Sequence, residues 1–321
     1  MHYLIRNPLK RRLVFCLDKV GGCFPFKEDG NSPQTINSVL LIRLDHLGDV
    51  LLTTPAIKSL KRQFPDARIT MVVKEWSFDA VKNNPHIDEI IVFNPSWAVS
   101  SQENGNTVGI AGMYQLVHRL RISSYDIAID FKGDFRSILL AYLSGAKRRI
   151  SYAIRGGGFL LTDIVPYEPN IHEIEKNMKL LVPLGVDSND AREMELFYTG
   201  EDIARVEQIL NHKGIDLSRR SIALHYGGAS QFKCWDMEKF VGLVGRLTEN
   251  NSINVLIFAG PYERKTCQFE EKPGNKIFIM PDMTICQMAA AFKRCDLLVC
   301  NDSGPMHVGF AVNTPTVAIF G

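Results

Sequence analysis

Three short stretches of the chain combine side chains able to do chemistry with small residues that let a ligand reach the backbone. The first is residues 43–49, RLDHLGD, where an apolar run stops and a helical pattern starts. At such a turn free N–H groups and the positive end of a helix dipole face outward. Gly48 lets a ligand approach closely. Asp49, directly after it, has two roles open to it: a helix N-cap, or a general base that takes the proton of a sugar hydroxyl. Asp45 is expected to be structural and His46 incidental. The second stretch is residues 225–235, HYGGASQFKCW, in which small residues precede a lysine–aromatic cluster. Lys233 is placed to neutralise a diphosphate as a point charge; a solvated loop lysine is the plain alternative. The third is residues 300–307, CNDSGPMH, a polar tetrad that opens a helix where backbone N–H groups can cradle phosphate. There Asp302 is alternatively a helix cap and Ser303 a turn residue.

All three stretches fall where strands end. Short β-branched runs at 38–44, 68–73, 89–93, 126–131 and 148–152 alternate with helical patterns at 48–64, up to 121, and at 137–143. The alternation restarts after residue 200, with strands at 221–225, 254–259, 276–280, 296–300 and 316–320 and helices at 202–213, 236–249 and 284–294. Strand–helix alternation of this kind predicts parallel sheets covered on both faces, and ligands bind beyond the carboxyl ends of such strands. The expected division is a basic amphipathic segment 1–36, an α/β domain 37–190 and a second α/β domain 191–321. The stretch 186–200 is the expected hinge, and residues 96–112 read as a glycine-rich polar loop.

Composition narrows the functional classes. Of the 321 residues, 45% are hydrophobic and 22% charged, which is ordinary for a globular chain of two domains. The longest uncharged apolar stretch, near residues 137–146, is about half of a membrane span. Residues 1–30 carry a basic surplus of three while the rest is nearly neutral, so no basic stripe for nucleic acid is expected on the body. The seven cysteines form no CxxC pair and predict a reduced, cytoplasmic chain without a zinc site. Neither GxGxxG after the first strand nor a Walker A lysine loop is present, and no DxD pair or histidine cluster has metal-ligand spacing.

The segments IRLDHLGDVLLTTPAI (42–57), DFKGDFRS (130–137), HYGGASQFKCW (225–235), AGP (259–261) and NDSGPMH (301–307) together resemble glycosyltransferase family nine, the ADP-heptose:lipopolysaccharide heptosyltransferases. The likeness runs from about residue 37 to residue 321. It implies a GT-B enzyme, two doubly wound Rossmann-like domains facing across a cleft, with acceptor on the first and nucleotide-sugar on the second. The implied reaction is inverting and metal-independent, with no cofactor besides the donor, ADP-heptose or another nucleotide-sugar. Carried over by position, Asp49 matches the family's base, Lys233 its phosphate-binding lysine and Asp302 its aspartate near the donor sugar. Ser303 and Gly304 fall on the segment that meets the diphosphate, beside Gly228, and Glu263 is a candidate for the ribose hydroxyls. Tyr226 and Asp236 stand where many members have proline, and Gly228 and Ala229 bring no donor hydroxyls.

On the acceptor side Gly48, Lys132 and Arg136 are the candidates, and Lys147, Arg148 and Arg149 extend the basic set at strand ends; a solvated basic face explains them equally. An inactive transferase-fold scaffold and a nucleotide-sugar epimerase are the rival functions. Leu9, Leu13, Cys16, Leu17 and Val20 recur at helical spacing among basic residues, a pattern for an anionic membrane surface or for packing on the chain's own body. The localisation expected is cytoplasmic, with peripheral contact at the inner membrane. Finally, residues 316–320 are expected to be an inner strand, and the chain to lack the family's usual C-terminal end. Residues 1–36 or a second subunit would then cover the exposed face.

Overall fold

The computed structural model describes residues 4–5, 7–23, 35–97, 107–188, 192–216, 218–228, 231–249, 252–260, 263–271, 274 and 276–321. The chain folds as two compact units. One comprises the residues to Phe78 together with Asn84–Glu193, the other Asp79–Asn83 with Met194–Gly321.

The first unit runs α1 (Pro8–Gly21), β1 (Ser38–Arg43), α2 (Leu47–Leu51), α3 (Thr54–Gln63), β2 (Arg68–Val73), α4 (Glu75–Phe78), β3 (Glu89–Val92), α5 (Ile110–Ser123), β4 (Ile127–Asp130), α6 (Phe135–Leu143), β5 (Arg148–Ser151), β6 (Asp163–Ile164) and α7 (Glu173–Lys179). Its sheet has the order β3-β2-β1-β4-β5-β6, all parallel. Five consecutive buried residues in β1, Val39 to Arg43, are what a central strand covered on both faces requires. The second unit runs α8 (Gly200–His212), β7 (Arg220–His225), α9 (Met237–Thr248), β8 (Ile253–Phe258), β9 (Ile277–Ile279), α10 (Ile285–Lys293), β10 (Leu297–Asn301), α11 (Gly304–Ala311) and β11 (Thr316–Ile319). Its parallel order is β11-β10-β7-β8-β9. Reciprocal capping boxes start α8 (Thr199 with Asp202) and α10 (Thr284 with Gln287).

Both sheets are doubly wound, and each reverses direction once: between β1 and β4 in the first, between β7 and β10 in the second. Such switch points open a crevice at the strand ends because the neighbouring loops depart to opposite faces. The stretches 43–49 and 130–136 leave the first crevice; 225–235 and 301–304 leave the second.

Two expectations are corrected. The helical pattern 48–64 is two helices, because Pro55 has no N–H for the carbonyl of Leu51, and the Thr54 hydroxyl takes that carbonyl at 2.8 Å instead. The final strand, β11, is an edge rather than an inner strand: α11 carries the chain outward from β10, and Val317 is half-exposed. Of residues 1–36, the described helix α1 packs within the first unit, on residues 154–159. Residues 24–34, most of the loop 96–112, residues 189–191 of the expected hinge, Ala229, Ser230 and Pro261 lie outside the described residues.

Asp130, at the end of β4, is fully buried and accepts hydrogen bonds from the N–H groups of Lys132 (3.2 Å) and Gly133 (2.8 Å) and from the Ser151 hydroxyl (2.8 Å). Gly133 turns with φ +69°, where a Cβ would also press on Ile154, so this corner needs glycine. Burial pushes the Asp130 carboxyl up to about 6. The folded state therefore holds the proton more tightly than the unfolded chain, and this group's contribution to stability is full below about pH 4 and falls as pH rises through 6. Asp130→Asn removes that dependence. Its stability relative to the parent should rise by about 2 kcal/mol between pH 4 and pH 7 in denaturant titrations; a pH-independent difference would contradict the assignment.

Candidate functional site

In the first unit, Arg43 closes β1 and is buried, so its charge must be met by neighbours. Its Nη1 donates to the Phe131 carbonyl at 2.6 Å, stitching the β1 and β4 loops together. Its Nε lies 3.3 Å from Asp45, and its Nη2 lies 3.5 Å from Asp49 and 3.4 Å from Glu173. Lys132 Nζ approaches the other Asp45 oxygen at 2.5 Å. Asp45 is therefore a structural carboxylate held by two cations, as its position suggested. Asp49 is not the helix cap. His46 occupies that position, without a side-chain cap bond, and Asp49 sits within the first turn of α2 with its side chain 37% exposed. Gly48 is buried beside it. The result is an accessible carboxylate at the switch point, held by a buried guanidinium that it shares with the similarly exposed Glu173.

Asp134 caps α6 by accepting from the Arg136 N–H, and Arg136 Nε returns to the same carboxylate at 3.0 Å. The Arg136 guanidinium also lies over the Trp97 ring, 5.9 Å from its centroid, and Arg155 stands 4.0 Å from Asp134. This is a half-exposed aromatic and cationic corner next to the Asp45–Lys132 pair. The other basic candidates are corrected. Lys147, Arg148 and Arg149 lie at the start of β5, the opposite end of the sheet, where they serve the fold. Lys147 pairs with Asp126 and Arg148 with Asp163, while buried Arg149 donates to the carbonyls of Ala146 and Leu160.

In the second unit, Asn301 at the end of β10 organises the crevice. Its amide donates to the Tyr226 carbonyl at 2.7 Å, and its oxygen accepts the Trp235 N–H at 3.1 Å. Both ends of the 225–235 loop are thereby drawn to β10. Lys233, ending a short 3-10 turn, reaches Asp302 with Nζ 2.5 Å from Oδ2. Asp302 is therefore an ion-pair partner and not the cap of α11; Ser303 holds the cap position, without a side-chain cap bond. Ser303 and Gly304 open α11 next to the pair, and Gly228 is half-buried on the facing loop. The Glu263 carboxylate lies over Gly227 and Gly260 so closely that a Cβ on either would come within 2.5 Å of its oxygens. Burial holds the His225 imidazole below the ordinary histidine range, against the pull of Glu263.

The structure thus gathers Lys233, Asp302, Ser303, Gly304, Gly228 and Glu263 in one unit, and Asp49, Gly48, Lys132 and Arg136 in the other. Sequence reasoning gave no role to Arg43 and Asn301, although both lie in the stretches it singled out, and missed Glu173, Trp97 and Arg155. Arg43 had one visible signal, a cation closing the apolar run Val39–Ile42. Among the described residues no three His, Cys, Asp or Glu side chains form a group able to hold a metal ion.

Comparison with known proteins identifies the family. Lipopolysaccharide heptosyltransferase 3 of Escherichia coli is 28% identical over 284 residues, covering 85% of this chain and 80% of that protein. The crystal structure of a family 9 glycosyl transferase from Veillonella parvula superposes with a TM-score of 0.77 at 26% identity, covering 88% of this chain and 81% of that one. The E. coli heptosyltransferase WaaC, solved with ADP-2-deoxy-2-fluoro heptose, shares the fold at a TM-score of 0.66 and 18% identity, over 88% of each chain. The sequence profile of glycosyltransferase family 9 (heptosyltransferase) matches residues 113–321, from α5 to the end of the second sheet. With two doubly wound α/β units whose charged residues gather at the switch points, this chain belongs to glycosyltransferase family 9, the heptosyltransferases, and is a glycosyltransferase of GT-B architecture.

Proposed function

We propose that this chain transfers a heptose from ADP-heptose to a sugar of the lipopolysaccharide core or a similar glycolipid, with inversion at the anomeric carbon and without a metal ion. The second unit takes the donor and the first the acceptor. The observation that carries the reading is the Lys233–Asp302 pair beside Ser303 and Gly304 at the β7/β10 switch point. A cation and free N–H groups converge there on the place a diphosphate would occupy. Glu263, over Gly227 and Gly260, is the candidate for the ribose hydroxyls, and Gly228, which has no side chain, is the candidate for close approach of the phosphates.

The step is a single displacement. The acceptor oxygen forms a bond to the anomeric carbon while the bond from that carbon to the β-phosphate oxygen breaks, and ADP leaves with the electron pair. The acceptor proton passes to Asp49. Lys233 and the N–H groups of Ser303 and Gly304 take up the charge growing on the diphosphate, the compensation that a divalent cation gives in other transferases. The names of the E. coli relatives, a lipopolysaccharide heptosyltransferase and an enzyme solved with an ADP-heptose analogue, support the choice of donor and acceptor.

Incubation with ADP-heptose and a lipopolysaccharide-core acceptor should yield a product whose new linkage has the anomeric configuration opposite to the donor's, read by NMR. Epimerised free donor without acceptor, or no turnover, would overturn the reading. On the acceptor side, Arg136 beside Trp97 suits an anionic sugar: the ring covers an apolar sugar face and the guanidinium meets a phosphate or carboxylate. Arg136→Ala should raise the acceptor KM about tenfold, the loss of one charge-assisted hydrogen bond, and leave the donor KM unchanged. A raised donor KM with an unmoved acceptor KM would place Arg136 elsewhere in the reaction.

A further inference from the structure

The helix α1 precedes the first sheet and is held by one narrow face. The Gly157 N–H donates to Asp18 at 2.8 Å, and the Leu4 N–H donates to the Ile154 carbonyl at 2.8 Å. Val14 lies against Gly156, and Gly21 against the Phe159 ring, so closely that a Cβ on either glycine would meet them within 2.6 Å. Residues 14, 18 and 21 share one side of a helix. The apolar stripe does not lie there. Leu9 is 75% exposed, Leu13 61%, Leu17 50% and Val20 60%; Leu9, Leu13 and Val20 lie about a quarter-turn or more from the docked face, and Leu17 at its border. Packing on the body thus explains Val14, Gly21 and the covered half of Leu17, but the described residues leave Leu9, Leu13 and Val20 largely exposed.

The charge of the helix says what covers them. Lys10, Arg11, Arg12 and Lys19 stand against a single acid, Asp18, whose carboxylate is already committed to the Gly157 N–H. Exposed Arg12 and Lys19 border the stripe on the side away from the body. A second copy of the same helix would bring like charges together at each end of the contact. An anionic bilayer satisfies both features, taking the leucines below its headgroups and the cations among them. We propose that α1 is an interfacial helix that lays Leu9, Leu13, Leu17 and Val20 into the surface of an anionic lipid bilayer. It is not a membrane span: no helix among the described residues is long and apolar enough to cross one.

The docking point gives the helix a consequence for the reaction. Residues 154–159, on which α1 sits, are bonded to the acceptor-side corner, since the Arg155 N–H donates to the Gly133 carbonyl at 3.0 Å and Arg155 faces Asp134. A bilayer under α1 is therefore tied, within one unit, to the loop of Lys132 and Arg136. This consequence rests on the acceptor being a glycolipid; the lipid binding itself does not.

The test is flotation of the full chain with vesicles of phosphatidylethanolamine and phosphatidylglycerol, against vesicles of phosphatidylcholine alone. The chain should float with the anionic vesicles and much less with the neutral ones. Leu13→Glu/Leu17→Glu should cut anionic-vesicle binding at least about tenfold while leaving Tm and transfer to a water-soluble acceptor fragment unchanged, because both side chains are exposed. Arg12→Glu/Lys19→Glu should lose the preference for anionic vesicles. Undiminished binding by the leucine variant would overturn the proposal. So would a parent protein that ignores vesicles, or a dimer in light scattering that the leucine variant dissociates, which would assign the stripe to a second copy. Failure of heptose transfer with vesicle binding intact would count against the proposed function and leave the helix assignment standing.

Discussion

Asp49→Asn should turn over about 10²–10⁴ times more slowly than the parent, with donor affinity close to normal. Asparagine has nearly the shape of aspartate but cannot accept the acceptor's proton, so the loss falls on kcat. The fold should survive the change. Arg43 keeps Asp45 at 3.3 Å and Glu173 at 3.4 Å, so its buried charge is still met after Asp49 becomes neutral. Two measurements separate base from scaffold. Calorimetry with ADP should give the parental Kd, because Asp49 and the donor residues belong to different units. Turnover with both substrates saturating should fall by the full factor, so that the loss sits in kcat and in neither KM. A variant retaining more than about a tenth of the rate would reduce Asp49 to a member of the Arg43 cluster. Weakened ADP binding would show that its effect travels through the fold.

Much of this architecture was legible because parallel strands buried on both faces must be nearly continuous apolar runs. Residues 38–44, 68–73 and 254–259 contain few polar residues, and the strands found at 38–43, 68–73 and 253–258 match them to within about one residue at each end. What was not legible depended on partners distant in sequence. Asp45 is bound by a lysine 87 residues further on, and Trp235 by an asparagine 66 residues further on; no local pattern encodes either pairing. Lys147 to Arg149 looked like site residues because a strand-adjacent cation has the same sequence signature at either end of the strand. Only direction decides, and these lie at the amino end, where a parallel sheet carries no crevice. The place of β11 was illegible for a similar reason, since an apolar run marks a strand without giving its rank. On α1 the amphipathic period was visible, but which side the body used was not, because Gly21 and Asp18 are docking residues that hydrophobicity does not mark.

Lys233→Ala should weaken ADP binding about 10–100-fold and slow transfer further still. The pair it forms with Asp302 is half-exposed, and such pairs add little to stability, so the variant should fold with a Tm near the parent's. Binding is another matter. A charge-assisted bond from ammonium to phosphate contributes about 1.5–3 kcal/mol, and each 1.4 kcal/mol is a factor of ten. Removing the lysine also leaves the Asp302 carboxylate without its cation next to a polyanion, so attraction is lost and repulsion is uncovered at once. That second contribution can be isolated. In Lys233→Ala/Asp302→Asn the repulsive charge is gone, and part of the lost ADP affinity should return, a coupling that a solvated loop lysine would not show. Transfer should not recover with it, because charge on the leaving diphosphate grows toward the transition state and its compensation must come from Lys233 as well as the N–H groups of Ser303 and Gly304. Lys233→Arg keeps the charge but spreads it over a wider fork, and should retain ADP binding better than rate. Unchanged ADP affinity in Lys233→Ala would remove the lysine from the donor site, and with it the observation on which the assignment of the second unit rests.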